Sequence, residues 1–181
     1  ASAPMASRYD GSVSATDVIE DFFRAFRGNP TSLWAVRTAN TPVDMIVADR
    51  ESGWIDWRLV PAEASLRKSL EDLLHTTGAE LPRSFGDWYL RYHTLAVHLP
   101  ILSLPANPTN AALAPLRRLL VPEHGDYFVR MARERGLIPF GDEALLGAGP
   151  LCFDPSSNRD PERWVVRYWD HEWEGTDAEV G

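Results

Sequence analysis

Cysteine is nearly absent from this chain: Cys152 is the single one among 181 residues. One thiol excludes an intrachain disulfide framework and any Cys-rich zinc site, and it agrees with a reducing compartment. Long apolar runs are missing too. No stretch approaches the ~20 residues that a membrane-spanning helix needs. The opening ASAPMASRYDGSVSAT carries one arginine and no apolar block, so it does not read as a secretory signal. Residues 1–13 read as a disordered lead-in or cloning scar, with Met5 as a candidate natural start. Positive charge is scarce as well, 18 basic against 26 acidic side chains for a net charge of −8. That balance disfavours nucleic acid as a direct ligand, because phosphate binding needs clustered Lys and Arg. It favours a partner with a basic surface.

Catalytic signatures are equally thin. Gly147-Ala148-Gly149-Pro150 lacks the lysine and third glycine of a nucleotide loop, and reads as a turn between strands. No Gly-x-Ser-x-Gly elbow occurs, and no two of His75, His93, His98, His124 and His171 stand at the i, i+4 spacing of a helical zinc motif. No cofactor, no metal and no membrane contact are expected, and the expected location is the cytoplasm.

What the chain does have is 14 prolines, 7 tryptophans and 44% hydrophobic residues, the composition of one ordinary globular domain with many fixed turns. Val18, Phe22 and Phe26 recur at helical spacing between Ser14, a candidate N-cap, and Gly28, a candidate C-terminal cap. The short apolar run at residues 45–48, the polar stretch 49–53 and Trp54 to Val60 read as a hairpin ended by Pro61. Leu66, Leu70, Leu73 and Leu74 form one stripe of a helix over 62–77, with Gly78 as its left-handed stop. Pro82 opens another helix, from which Phe85, Trp88, Tyr89 and Tyr92 face inward. Residues 95–104 read as extended, 115–121 and 127–135 as short helices, and the remainder from Leu137 as short strands. Leu66, Leu70, Leu73, Leu74, Trp88, Phe140 and Phe153 are expected in one core. Cys152 is expected to be a buried, inert thiol. Alternation turns it away from Leu151 and Phe153, which requires a sheet covered on both faces.

The C-terminal segment carries the candidate binding residues. Residues 154–181 hold eight acids and three arginines, a net of −5. Within it, Trp164 to Trp169 reads as a strand, and Asp170-His171-Glu172-Trp173-Glu174 interleaves carboxylates with an aromatic. An isolated large aromatic among charges is what an interface hot spot looks like. The candidate partner-binding set is therefore Asp154, Asp170, Glu172, Trp173 and Glu174. The same region offers the only purchase for a small metal-dependent hydrolase, through Asp154 and Asp170-His171-Glu172. On a strand, however, His171 points away from its two acidic neighbours.

Several segments together resemble the SUKH superfamily. They are Gly53-Trp54-Ile55-Asp56-Trp57-Arg58, the helix ending at Gly78, Leu81-Pro82-Arg83-Ser84-Phe85, Leu137-Ile138-Pro139-Phe140-Gly141, Leu151-Cys152-Phe153-Asp154, and Val165-Val166 to Asp170-His171-Glu172. The resemblance spans about residues 50–175, within a domain read over 14–175 and followed by an acidic tail at 176–181. The stretch 96–123 carries no motif of that superfamily. The resemblance implies an α+β fold, a mostly antiparallel sheet with helices packed against it in a single domain. It also implies a non-enzymatic protein that binds and neutralises a cognate bacterial toxin, such as a nuclease-type effector, in a polymorphic toxin system. A scaffold or regulator of the cell-wall assembly type is the alternative it allows.

Overall fold

A computed structural model describes residues 14–29, 31–100, 102–143, 149–168 and 178–179. The expected lead-in at 1–13, Gly147 and Ala148 of the expected 147–150 turn, and Asp170, Glu172, Trp173 and Glu174 lie outside the described residues.

The first helix, α1 (Ala15–Gly28), starts as its sequence suggests, with Ser14 Oγ accepting from the Asp17 backbone N–H at 3.2 Å. Its buried face is rotated by one residue from the expected stripe. Ile19, Phe23 and Phe26 are buried, Phe22 is half-buried, and Val18 faces water. Phe23 is turned inward by rings from later in the chain. It stacks on Trp88 (centroids 6.0 Å apart) and meets Tyr92 edge-on (4.8 Å). Gly28 is the last helical residue, and the chain leaves through an extended Asn29 without a left-handed cap.

A three-stranded antiparallel sheet follows, in the order β1 (Trp34–Val36), β3 (Trp54–Trp57), β2 (Ile46–Asp49). The expected hairpin is its β2–β3 half, and β1 is an additional strand. The turn between β2 and β3 places Ser52 and Gly53 at φ of 61° and 79°, where a glycine is unstrained. Pro61 does not end the chain's extended run. It belongs to β4 (Val60–Pro61), which pairs with β5 (Tyr92–His93). Between them lie α2 (Ser65–Thr77), with Leu66, Leu70 and Leu73 buried, and α3 (Arg83–Tyr89). Gly78 closes α2 at φ 60°, as its position suggests. The backbone N–H groups of Arg83 and Ser84, which open α3, donate to the Glu162 carboxylate.

The larger sheet is also antiparallel, ordered β11 (Ala178–Glu179), β10 (Val165–Tyr168), β9 (Pro150–Asp154), β8 (Ile138–Glu143), β7 (Leu102–Leu104), β6 (Val97–His98). Two residues of the expected acidic tail thus pair with Tyr168 and Arg167 as an edge strand. Two short helices, α4 (Ala114–Leu120) and α5 (Tyr127–Glu134), lie between β7 and β8, and Asp126 caps α5 by accepting from the Val129 N–H at 2.9 Å. The fold is α+β, with antiparallel sheets and helices in one domain.

Every residue of β9 is buried, so the sheet is covered on both faces there. Leu151 and Phe153 join the main core, where Phe153 stacks on Phe140 with centroids 4.1 Å apart and Phe85 stands edge-on to both. Cys152 points the other way and packs with Ala132 of α5 and Leu137. Of the expected core set, Leu66, Leu70, Leu73, Phe140 and Phe153 are buried together, while Leu74 and Trp88 pack half-buried against them. Among the described residues no helix is long and apolar enough to cross a membrane.

Candidate functional site

Asp154, the one member of the sequence-derived set among the described residues, is not presented to a partner. It ends β9, is 4% exposed, and its carboxylate accepts from Arg167 Nε (2.6 Å), from Ser156 Oγ (2.6 Å) and from the Ser156 N–H (2.8 Å). Burial by itself would raise this carboxyl. The hydrogen bonds from Ser156 and Arg167 overcome that effect and hold it below the ordinary carboxylate range. Asp154 therefore fastens β9 to β10 and to the turn between them. The Ser156 contact is a local Asx turn within reach of the sequence, whereas Arg167, thirteen residues on, is brought in by the pairing of β9 with β10.

A second buried polar group is also internal. His93 on β5 faces the Asn107 carbonyl through Nδ1 (3.0 Å) and Glu63 through Nε2 (2.9 Å). Asn107 in turn donates to the Tyr89 carbonyl (3.1 Å) and accepts from the Leu113 N–H (3.1 Å). The hydrogen bond from His93 draws the Glu63 carboxyl below its ordinary value. With its hydrogen-bonding groups so engaged, this network is a satisfied joint between loops.

The outward surface of the three-stranded sheet is different. Ile55 and Trp57 point into the core, so alternation along β3 sends Trp54 and Asp56 to the other side. Register places Val36 opposite Trp54 and Trp34 opposite Asp56. Trp34, Val36, Trp54 and the nearby Val47 are 38%, 56%, 44% and 62% exposed. This aromatic face is only partly covered by the described chain, with Leu95, Ala96 and His98 bordering its Val36–Trp54 side. It is also ordered. The Arg50 guanidinium lies over the Trp34 ring, 4.2 Å from its centroid, while Arg50 Nε donates to Asp56 at 2.7 Å. Arg37 on the rim donates to Asp49 at 2.6 Å. A recess of about 690 Å³ opens between Trp34, Trp54 and the turn at residues 49–51, where Glu51 adds a carboxylate.

Such a surface holds pre-positioned tryptophan and arginine, the residues that dominate binding energy at protein interfaces. Sequence reading placed Trp54 on a strand but missed the site. The signal lay in the alternation of Trp54 against Ile55 and Trp57, but the companion tryptophan sits on a strand too short to register. Comparison with known proteins returns no counterpart: the chain matches no family, no curated protein and no solved structure.

Proposed function

We propose that this chain is a cytoplasmic, non-enzymatic binding protein that neutralises a toxin domain by forming a stoichiometric complex with it. The reading joins the immunity role implied by the SUKH resemblance to one structural observation, the exposed Trp34–Arg50–Trp54 face. Soluble monomers rarely leave ordered aromatic patches open unless something docks there. The net charge of −8 adds long-range attraction for a basic toxin surface, such as the substrate channel of a nuclease. The metal-dependent hydrolase reading draws no support from Asp154, whose carboxylate is engaged by Ser156 and Arg167. Among the described residues no three His, Cys, Asp or Glu side chains group closely enough to hold a metal ion.

The test is co-expression with any toxic domain found encoded beside this chain. Wild-type protein should protect cells and co-purify at one to one, and a Trp34→Ala/Trp54→Ala variant that still folds should lose protection. Full protection by that variant overturns the assignment of the face. Progressive inactivation of the toxin by substoichiometric protein overturns the binding-only mechanism.

A further inference from the structure

Two sheets end on one groove beside the tryptophan face. Strand β1 is the outer strand of the small sheet, and β6 is the outer strand of the larger one. Ala35 and Val36 line the groove from β1, while Leu95, Ala96 and His98 line it from β6 and the residues just before it. Its volume is about 320 Å³. Trp54 borders both this groove and the recess at residues 49–51, so the two hollows are continuous.

Register fixes where the backbone groups of the β1 edge point. The Trp57 N–H donates to the Leu33 carbonyl (2.9 Å), the Arg37 N–H donates to the Gly53 carbonyl (2.8 Å), and Ala35 stands opposite Ile55. Opposed residues of an antiparallel pair alternate between bonded and non-bonded. Leu33, Ala35 and Arg37 therefore turn their backbone groups toward β3, and Trp34 and Val36 turn theirs outward. The outward Trp34 N–H is taken by the Thr31 carbonyl (3.2 Å). Among the described residues nothing bonds to the Trp34 carbonyl, the Val36 N–H or the Val36 carbonyl on that side. The other wall repeats the pattern. Leu99 and Leu102 exchange two hydrogen bonds (2.8 and 3.4 Å), so His98, the next residue in register, turns its N–H and carbonyl away from β7. Neither strand carries the lysine, proline or bulge that commonly blunts an open edge.

We infer that the groove receives an extended segment of the partner, added to β1 as a fourth strand of the small sheet. The inference rests on the binding role proposed above and names the element by which the partner is held. Unpaired donors and acceptors along a strand edge match another extended backbone, whereas a helix has already spent its backbone groups internally. Alternate side chains of the segment fall on the Val36–Trp54 side, where Val36 and Trp54 are 56% and 44% exposed and β-branched residues pack well. The net charge of −8 favours lysine or arginine at the positions between them.

The experiment follows amide hydrogen exchange of the full-length protein with a capped heptapeptide of alternating lysine and valine. Two control peptides carry N-methyl groups, one on the valines and the other on the lysines. Each keeps the side chains and charge and loses the donors of one edge. The Val36 amide should exchange fast in the free protein and slow by about tenfold or more with saturating peptide, while Ala35, whose N–H already faces β3, changes little. At least one N-methylated peptide should lose the effect. Val36→Pro removes the outward donor where no internal bond is lost, and should weaken the peptide by about tenfold. Val36→Thr keeps the N–H and the branched shape and should bind as wild type does. Should Val36→Pro unfold the chain, the N-methylated peptides decide. No slowing at Val36, equal slowing by both N-methylated peptides, or undiminished binding by a folded Val36→Pro variant overturns the inference. Slowing that follows protein concentration without peptide makes a second copy the occupant and overturns it too. Protection of Val36 in a chain that neutralises no toxin keeps the strand site and removes the immunity reading, and neutralisation without protection does the reverse.

Discussion

Cys152 has no exposed surface, and its side chain meets α5 instead of water. Burial first, then the charge of Asp142, push the thiol up to about 12, with Arg133 pulling weakly the other way. Unfolding returns it to the ordinary ~8.5. Between these values the unfolded chain loses a proton that the folded chain keeps, so stability falls as pH rises from about 8.5 toward 12. Cys152→Ala should flatten that alkaline slope in denaturant titrations. At neutral pH a thiol reagent should modify native protein no faster than the chain unfolds, and rapid labelling contradicts the burial. Asp154 works with the opposite sign. Its folded-state value is depressed, so its contribution is complete above the unfolded ~3.9 and is lost as pH falls through the lower folded value. Asp154→Asn should cost about 1.5–3 kcal/mol at neutral pH, the scale of a hydrogen bond to a charged group. It should also blunt the acid limb of the stability curve.

At the scale of elements, two glycines that look alike in sequence separate cleanly. Gly78 ends α2 at φ 60°, a conformation other residues adopt only with strain, so Gly78→Ala should cost about 1 kcal/mol or more. Gly28 is helical, and no atom lies within 4 Å of where a Cβ would stand. Gly28→Ala should therefore stabilise by roughly 0.5–1 kcal/mol. Leu70→Ala, which empties the centre of the α2 stripe, should cost about 2–5 kcal/mol. Chemical denaturation of the three variants checks all of these values. The contrast also explains what could be read beforehand. The α2 stripe is long, unbroken and closed by a glycine, so local pattern and tertiary packing agree. In α1 two stripes fit equally well, and Trp88 and Tyr92, more than sixty residues later, select the one containing Phe23. Strand β1 is three residues long, too few for alternation to show. The tryptophan face depends on strand register between β1 and β3, which lie some twenty residues apart, and no local window contains register.

At the scale of the whole molecule, the proposed complex gives charge and aromatic surface different work. Of the net charge of −8, −5 lies in residues 154–181; on the proposed function this charge acts at long range and governs how often a basic partner arrives. On the same proposal the Trp34–Arg50–Trp54 cluster acts only on contact and governs how long the partner stays. Salt separates the two, because the screening length falls from ~10 Å at 0.1 M to ~3 Å at 1 M. Wild-type association with the toxin domain should therefore slow as salt is raised, with a smaller change in dissociation. Glu51→Lys reverses a charge at the mouth of the recess and should slow association most at low salt. Trp54→Ala is the sharper probe of the contact itself, since Trp34 also supports Arg50 and its removal disturbs two groups at once. Its substitution should leave the salt dependence of association intact, speed dissociation, and weaken the complex by about 2 kcal/mol or more, roughly thirtyfold. Stopped-flow association and chase-dissociation at several salt concentrations measure both rates. Unchanged dissociation in Trp54→Ala sinks the sheet face as the contact surface, and association insensitive to salt removes the acidic balance from the account of binding.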